Sequence, residues 1–431
     1  MTQEPTKDGK KPLTPLGKNF NRFWIGSLSS NLADGVMLVA LPMIAAMLTN
    51  DPLLVSGLMV ARFLPWLLVG LFAGALVDRW DRGLVLVVSN VVRAGALVAL
   101  AALVATDNAT IWTLYAVMFA VMVCEVFYDL AGRAILPALV PSGTIDRANG
   151  RLIGGKTVTE DFAGAPLAGF LFVVAAALPI AVNAGAYLLG ALVLLGLPLA
   201  VRRPPRGEGK AEEGAPRTSL RAEMREGLSY LFAQRTLRSL VLFNIVTNMA
   251  FMAQAGILVL IVQEHFGVPE ALYGVFLTSA AAGAVVGAVL VGTFVAKLGR
   301  FVTELICFGL MGVCCLAFGL APNAWVAALA WGMLAVAMIV SNTVMVGAIQ
   351  TIVPNTMLGR FMSIVQMTGA GLSPVGALLG GLLGRIELYY VPLVSGVVIL
   401  LVMLPAIPAI RRITSQADEI EREAVRVRTL D

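Results

Sequence analysis

The sequence predicts an all-α integral membrane protein of twelve transmembrane helices arranged as two six-helix bundles. Three observations carry this reading. The 431 residues are 58% hydrophobic and only 13% charged, with a mean hydropathy of +0.87, outside the range of soluble domains. Apolar runs of about 20 residues, the length that crosses a bilayer as a helix, recur along the chain. A polar stretch, 202–235, divides these runs into two sets of six whose helix ends share a pattern.

In the first bundle the spans are expected at 20–49, 53–77, 84–105, 109–133, 149–177 and 180–201. In the second they are expected at 236–263, 270–296, 301–320, 324–352, 358–383 and 387–410. Residues 1–19, with Pro5, Pro12 and Pro15, read as a flexible cytoplasmic tail. Lys7, Lys10, Lys11 and Lys18 precede a first apolar run too long for a signal peptide, so no cleavable leader is expected. The 202–235 linker opens with Pro204, Pro205, Gly207 and Gly209, and its part from Ser219 to Ala233 has the pattern of a short amphipathic surface helix. Residues 411–431 form a second cytoplasmic tail.

Charge fixes the orientation. With both termini inside, nearly every Lys and Arg falls in the tails or in loops after even-numbered helices. Arg385 stands in an external loop, and Arg62, Arg93 and Lys156 lie within helices. This is a positive-inside pattern, and it accounts for the net charge of +5 without a nucleic-acid partner. The partners implied are the lipid bilayer and a small molecule, with the chain working as a monomer. Cys124, Cys307, Cys314 and Cys315 all fall in apolar spans and read as small core residues, so neither a disulfide nor a metal is expected. The one histidine, His265, falls in an external loop, and no phosphate-cradling glycine motif is present. No enzyme activity, cofactor or ATP coupling is expected within the chain.

The halves echo one another. Pro52-x4-Gly57 opens helix 2 and Pro269-x4-Gly274 opens helix 8. At their far ends, Gly74-x3-Asp78-Arg79-x2-Arg82 matches Gly292-x3-Ala296-Lys297-x2-Arg300 in spacing, and Asn31-x-x-Asp34 matches Asn244-x-x-Thr247. Repeats of this kind place a substrate cavity between two bundles near the membrane midplane.

The candidate working groups are the polar residues at depth. In helix 1, Ser27, Asn31 and Asp34 share a face, and an acid so deep must face protein or water. Asp34 is expected to exchange protons or touch substrate, or else to form a structural pair with Arg62. Helix 4 carries Glu125, Asp129 and Arg133 at steps of four, with Arg93 of helix 3 as a partner for Glu125. Helix 5 carries Lys156, Glu160 and Asp161. Lys156 can neutralise Glu160 at i+4, which leaves Asp161 the less compensated acid. In the second half the polar interior residues are neutral, and Asn244, Asn248, Gln254, Asn342 and Gln366, together with Asn31, are the candidate substrate contacts. Ordinary polar bonding between helices is the competing role for each of them. Glu264 and Glu304 read as helix-end residues, so the proton-handling acids are expected in the first half alone: Asp34, Asp161, Glu160 and Glu125.

The loop Gly74-x3-Asp78-Arg79-x2-Arg82 resembles the signature between the second and third helices of the major facilitator superfamily, though Gly83 stands where another basic residue usually follows. The wider match of Phe23-Trp24 through Asp34, Ala61-Arg62-x-x-Pro65, and Arg133-Ala-x-x-Pro137 with Leu139-Val140-Pro141 resembles its macrolide-efflux and enterobactin-exporter branch. Gly164-Ala-Pro166-Leu-Ala-Gly169 is a degraded form of the helix-5 motif of drug antiporters. The resemblance implies the major facilitator fold in a bacterial cytoplasmic membrane, and export of drugs or other amphiphilic molecules in exchange for protons. It also implies a cytoplasmic gate made by Gly74, Asp78, Arg79, Arg82, Asp129 and Arg133, in which Asp129 latches to Arg82 and Gly74 lets neighbouring helices approach. A dedicated siderophore or natural-product exporter, and a non-transporting sensor or scaffold, are the alternatives.

Overall fold

The computed structural model describes residues 15–77, 79–141, 143–198, 234–353 and 371–428, and these are helical almost throughout. The first half comprises α1 (Lys18–Leu48), α2 (Pro52–Val77), α3 (Arg82–Ala105), α4 (Ile111–Leu139), α5 (Ile145–Val174) and α6 (Leu178–Leu195). The second opens with α7 (Arg235–Gly256), which runs on through Leu258–Leu260 and Ile261–His265. One long helix, Glu270–Gly319, breaks at Gly299, whose φ of 78° lies in the left-handed region that glycine adopts freely. The break makes α8 (270–298) and α9 (300–319). Then follow α10 (Ala324–Ile352), α11 (Gly371–Gly384) and α12 (Tyr390–Arg428). Each expected span thus has a helix among the described residues. Asp78, Gln366, the start of the eleventh span and the 202–233 linker fall outside them.

Local chemistry sets several helix ends. The Asp81 carboxylate accepts from Leu84 N at 2.9 Å and starts α3. Thr110 and Thr113 form a reciprocal cap on α4, and Asn323 accepts from Trp325 N and Val326 N to start α10. Leu192, Val289, Leu329 and Leu401 are exposed on helix surfaces, as suits helices solvated by hydrocarbon.

Two elements differ from expectation. Helix α5 is not one regular helix: Thr157–Gly164 is a π-helix between the α-helical segments Ile145–Lys156 and Ala165–Val174. Pro166 has no N–H to offer the Phe162 carbonyl four residues back, and the wider turn ahead of it absorbs that loss. The expected C-terminal tail is folded as well, since α12 continues unbroken to Arg428 with Ile413, Thr414 and Ala417 buried. Arg300 holds this extension, bonding Asp418 and Glu421 at 2.6 Å each. Asp418 and Glu421 are one helical turn apart, so both reach one guanidinium.

The halves meet at the end remote from the Arg82 and Arg300 loops. There Gly381 packs on Leu53 and Ser56 of α2, and Gly384 on Pro52. Gly169 and Gly274 let α5 and α8 cross with their backbones in contact. Arg385 donates to Asp51 Oδ1 at 2.8 Å and Oδ2 at 2.5 Å, bridging the α11–α12 and α1–α2 loops. At the opposite end a Cβ on Gly74 or Gly292 would meet no described atom within 4 Å, so the close helix approach expected at Gly74 is not made with any described residue. That end is the expected cytoplasmic face.

Candidate functional site

A charged cluster lies at mid-depth of the first half. Asp34, Arg93 and Glu125 each stand near the middle of their helices, α1, α3 and α4, and Tyr187 stands near the middle of α6. Arg93 is 0% exposed. Its Nη2 lies 2.5 Å from Glu125 Oε2 and its Nη1 3.9 Å from Asp34 Oδ1. The Tyr187 hydroxyl donates to Asp34 Oδ1 at 2.5 Å. The guanidinium also sits between two rings, 4.9 Å from the Tyr128 centroid and 5.1 Å from that of Tyr187. Such stacking suits a weakly hydrated guanidinium better than an ammonium. Beside it Asn90 Nδ2 donates to Ser30 Oγ at 2.8 Å, tying α3 to α1.

The partner expected for Asp34 is therefore corrected. Arg62 forms no ion pair with Asp34, and its guanidinium carbon stands 5.9 Å from the Phe63 centroid. Its charge remains within electrostatic reach of Glu160, Asp34 and Glu125. Both arginines occur at mid-helix, but α3 packs on α4 and α6, which brings Arg93 between the acids. The expected pairing of Glu125 with Arg93 is formed.

The π-turn brings a further acid close to this cluster. Gly35, next to Asp34, presses on the backbone of Glu160, and a Cβ on Gly164 would lie 2.6 Å from Gly35 Cα. Only glycine allows helices to approach so closely. Lys156 Nζ reaches Glu160 Oε2 at 3.3 Å, as the i+4 spacing implies. Asp161 stands in the same π-turn, and its side chain lies outside the described residues.

The loop after α2 is anchored differently from the expected latch. Arg82 Nη1 donates to the Ala134 carbonyl at 2.8 Å and makes no ion pair with Asp129. Trp80 stacks on Phe127 with centroids 5.9 Å apart. Arg79 and Arg133 are exposed, and Asp129 is half-buried. Both contacts pin the loop to α4 within its own bundle.

The neutral candidates separate into two groups. Asn244 and Asn342 are exposed, and Asn31 is half-buried. Asn248 accepts from Ser373 Oγ at 3.0 Å. Gln254 is fully buried, its amide donating to the Ala250 carbonyl and to Cys315 Sγ, both at 3.3 Å. It packs inside the second bundle and not on a cavity wall, a correction that follows from α7 turning its Ala250–Gln254 face towards α9.

One acid was misjudged from sequence. Glu304 stands five residues into α9, is 0% exposed, and accepts from Ser341 Oγ at 2.7 Å. Deep acids are thus not confined to the first half.

Comparison with known proteins places this architecture. Macrolide efflux protein A of Streptococcus pyogenes is 23% identical over 399 residues, covering 91% of this chain and 97% of that protein. A bacterial homologue of the iron transporter ferroportin, solved in an inward-facing state, superposes with a TM-score of 0.70 at 16% identity, over 93% of this chain and 100% of that one. A bacterial homologue of the human lysosomal transporter Spinster, inward-facing and unoccupied, gives 0.68 at 16% identity, over 93% and 97%. The structural likenesses establish the fold. The sequence profile of the transmembrane secretion effector family matches residues 10–427, nearly the whole length. The chain is thus a multi-pass membrane transporter of the major facilitator type and belongs to the transmembrane secretion effector family.

Proposed function

We propose that this transporter exports amphiphilic small molecules, macrolides among them, across a bacterial cytoplasmic membrane in exchange for protons, with both termini in the cytoplasm. The observation that supports the exchange is the charge balance at Arg93. Two carboxyls, Asp34 and Glu125, share one fully buried guanidinium. Arg93 pairs closely with Glu125, whereas Asp34 stands 3.9 Å off and Arg62 acts on it only at a distance, so Asp34 is the less compensated acid and the one placed to take up a proton. A substrate entering beside the cluster changes which of the two is favoured. The Streptococcus pyogenes relative, by its name a macrolide efflux protein, supports the substrate class.

In this reading the bundles rock about the crossing of α5 with α8. Asn31, Asn244, Asn248 and Asn342 offer neutral contacts to the substrate, and Gly74, Arg79, Arg82, Asp129 and Arg133 belong to the cytoplasmic gate. Glu160 and Asp161, on the π-turn that packs against α1, are the further candidates for proton handling.

The test is labelled-macrolide uptake into everted vesicles under an imposed pH gradient. The intact chain should concentrate the macrolide, and Asp34→Asn should reach the membrane in normal amount. That variant should lose the roughly tenfold accumulation that each pH unit of gradient can support. Gradient-driven accumulation at the native level in Asp34→Asn removes the acid from the coupling. Absence of any flux in the intact chain favours a sensor or scaffold.

A further inference from the structure

The second bundle holds a carboxyl that the Asp34 cluster does not use. Glu304 is fully enclosed between α9 and α10, with Thr303, Cys307 and Phe308 also buried around it. A carboxylate has about four acceptor sites. Here a single donor, the Ser341 hydroxyl, meets Oε2, while Oε1 is buried with no partner.

No counter-charge is at hand among the described residues. On α9 itself Arg300 is committed to Asp418 and Glu421, and the Cys307 thiol lies within electrostatic reach of Glu304. The facing stretch of α10 offers Ser341 and no charged residue. On α12, Arg411 lies over the Phe301 ring at 5.9 Å, and neither it nor Arg412 forms an ion pair with Glu304. Lys297 ends α8 ahead of the Gly299 break and likewise exerts no pull on the acid. A metal cation is a poor occupant, because hard cations take six or more oxygens and this site offers one carboxyl and one hydroxyl.

The geometry points to Glu304 as a proton-binding site of the second bundle, holding the carboxyl as the neutral acid while α9 and α10 are packed as in this structure. An uncompensated charge in such an enclosure costs several kcal/mol or more, whereas the neutral acid needs only its Ser341 bond. Ser341 faces the acid, and its neighbour Asn342 is exposed on the adjoining face. A turn of α10 that re-aims Asn342 also takes Ser341 away from Glu304 and opens the acid to exchange. This last step rests on the transport reading above; the site itself does not.

The decisive measurement is infrared spectroscopy of the reconstituted full chain at neutral pH, without substrate. The native protein should show a protonated-carboxyl C=O band that Glu304→Gln lacks. Ser341→Ala should shift the same band, since it keeps the acid and removes its hydrogen-bond partner. Identical carboxyl spectra in the native protein and Glu304→Gln overturn the site. If Glu304→Gln does not accumulate, an unmoved band in Ser341→Ala overturns it instead. For the link to transport, macrolide flux in Glu304→Gln should lose at least about half of its native response per pH unit, where full single-proton control is tenfold. An unchanged pH profile overturns the link to transport. Failure of the native chain to carry any macrolide removes the transport reading while the infrared result still decides the site.

Discussion

Arg93 and Glu125 form an ion pair of 2.5 Å at the centre of the first bundle, with the guanidinium wholly out of contact with solvent. Removing one partner strands the other. Arg93→Gln should therefore destabilise the bundle by about 3–5 kcal/mol, the usual cost of an orphaned buried charge. Thermal unfolding in detergent measures it, and Arg93→Gln combined with Glu125→Gln should recover most of the loss.

The unequal distances to the two acids make a sharper prediction. Glu125 stands 2.5 Å from Arg93, whereas Asp34 stands 3.9 Å away and is bonded by Tyr187. Glu125→Gln should lower stability more than Asp34→Asn does, while Asp34→Asn should lower proton-driven flux more. Melting temperatures and vesicle flux for both variants test the division, and the reverse ranking would contradict it.

The glycines separate two kinds of site. A Cβ on Gly35 would overlap the Glu160 carbonyl, so Gly35→Ala should cost about 1–3 kcal/mol through forced displacement of α5. A Cβ on Gly74 meets no described atom within 4 Å, and Gly74→Ala should be neutral or stabilising by up to about 1 kcal/mol, from helix propensity. If Gly74 packs against another helix only when its end is closed, the alanine should still slow transport. Flux and melting temperature together distinguish that effect from general damage.

The sequence carried much of this architecture, and the limits have physical causes. Span positions were readable because hydrocarbon demands about 20 apolar residues per helix. The pairing of Glu125 with Arg93 was readable because both are charges at mid-helix. Choosing Arg93 over Arg62 as the companion of Asp34 required knowing which helices are neighbours, and periodicity within one helix does not report that. Tyr187 looks like any aromatic in an apolar run until its hydroxyl reaches Asp34. Glu304 follows the break at Gly299 so closely that it reads as an interfacial residue, yet the packing of α10 encloses it. The folded extension of α12 has the charge alternation of a solvated tail, and its anchor, Arg300, is 118 residues away.

The Arg300 anchor has its own test. Its two acids are partly exposed, so the pairs should contribute only about 0.2–1 kcal/mol each. Arg300→Ala should hardly move the melting temperature, but amide exchange over 411–428 should quicken several-fold. Unchanged exchange would mean that the burial of Ile413 and Ala417 holds the extension alone.

For the Asp51–Arg385 bridge the expected response to acid is specific. The Arg385 guanidinium holds the Asp51 carboxyl below its ordinary value of 3.8. A lowered value means that the bridge stabilises the closed end above the ordinary carboxylate range and loses this effect as pH falls through the lowered value. Changing the pH on that side from 7 to 5 should leave the bridge intact, whereas Asp51→Asn should loosen it throughout that range. Accessibility of a cysteine introduced at Ser56, read with and without Asp51→Asn, tests both statements.

That bridge joins residues 334 positions apart. Arg385 follows the eleventh span, so the contact cannot form until almost the whole chain has been made. At about 5–20 residues per second, the first bundle waits on the order of 10–40 s in the membrane with Asp51 and Ser56 uncovered. Its internal bonds, including those around Arg93, must hold it together meanwhile. The first bundle should accordingly insert and mature as an independent unit, and the final joining of the halves should be a late, slow step in biogenesis.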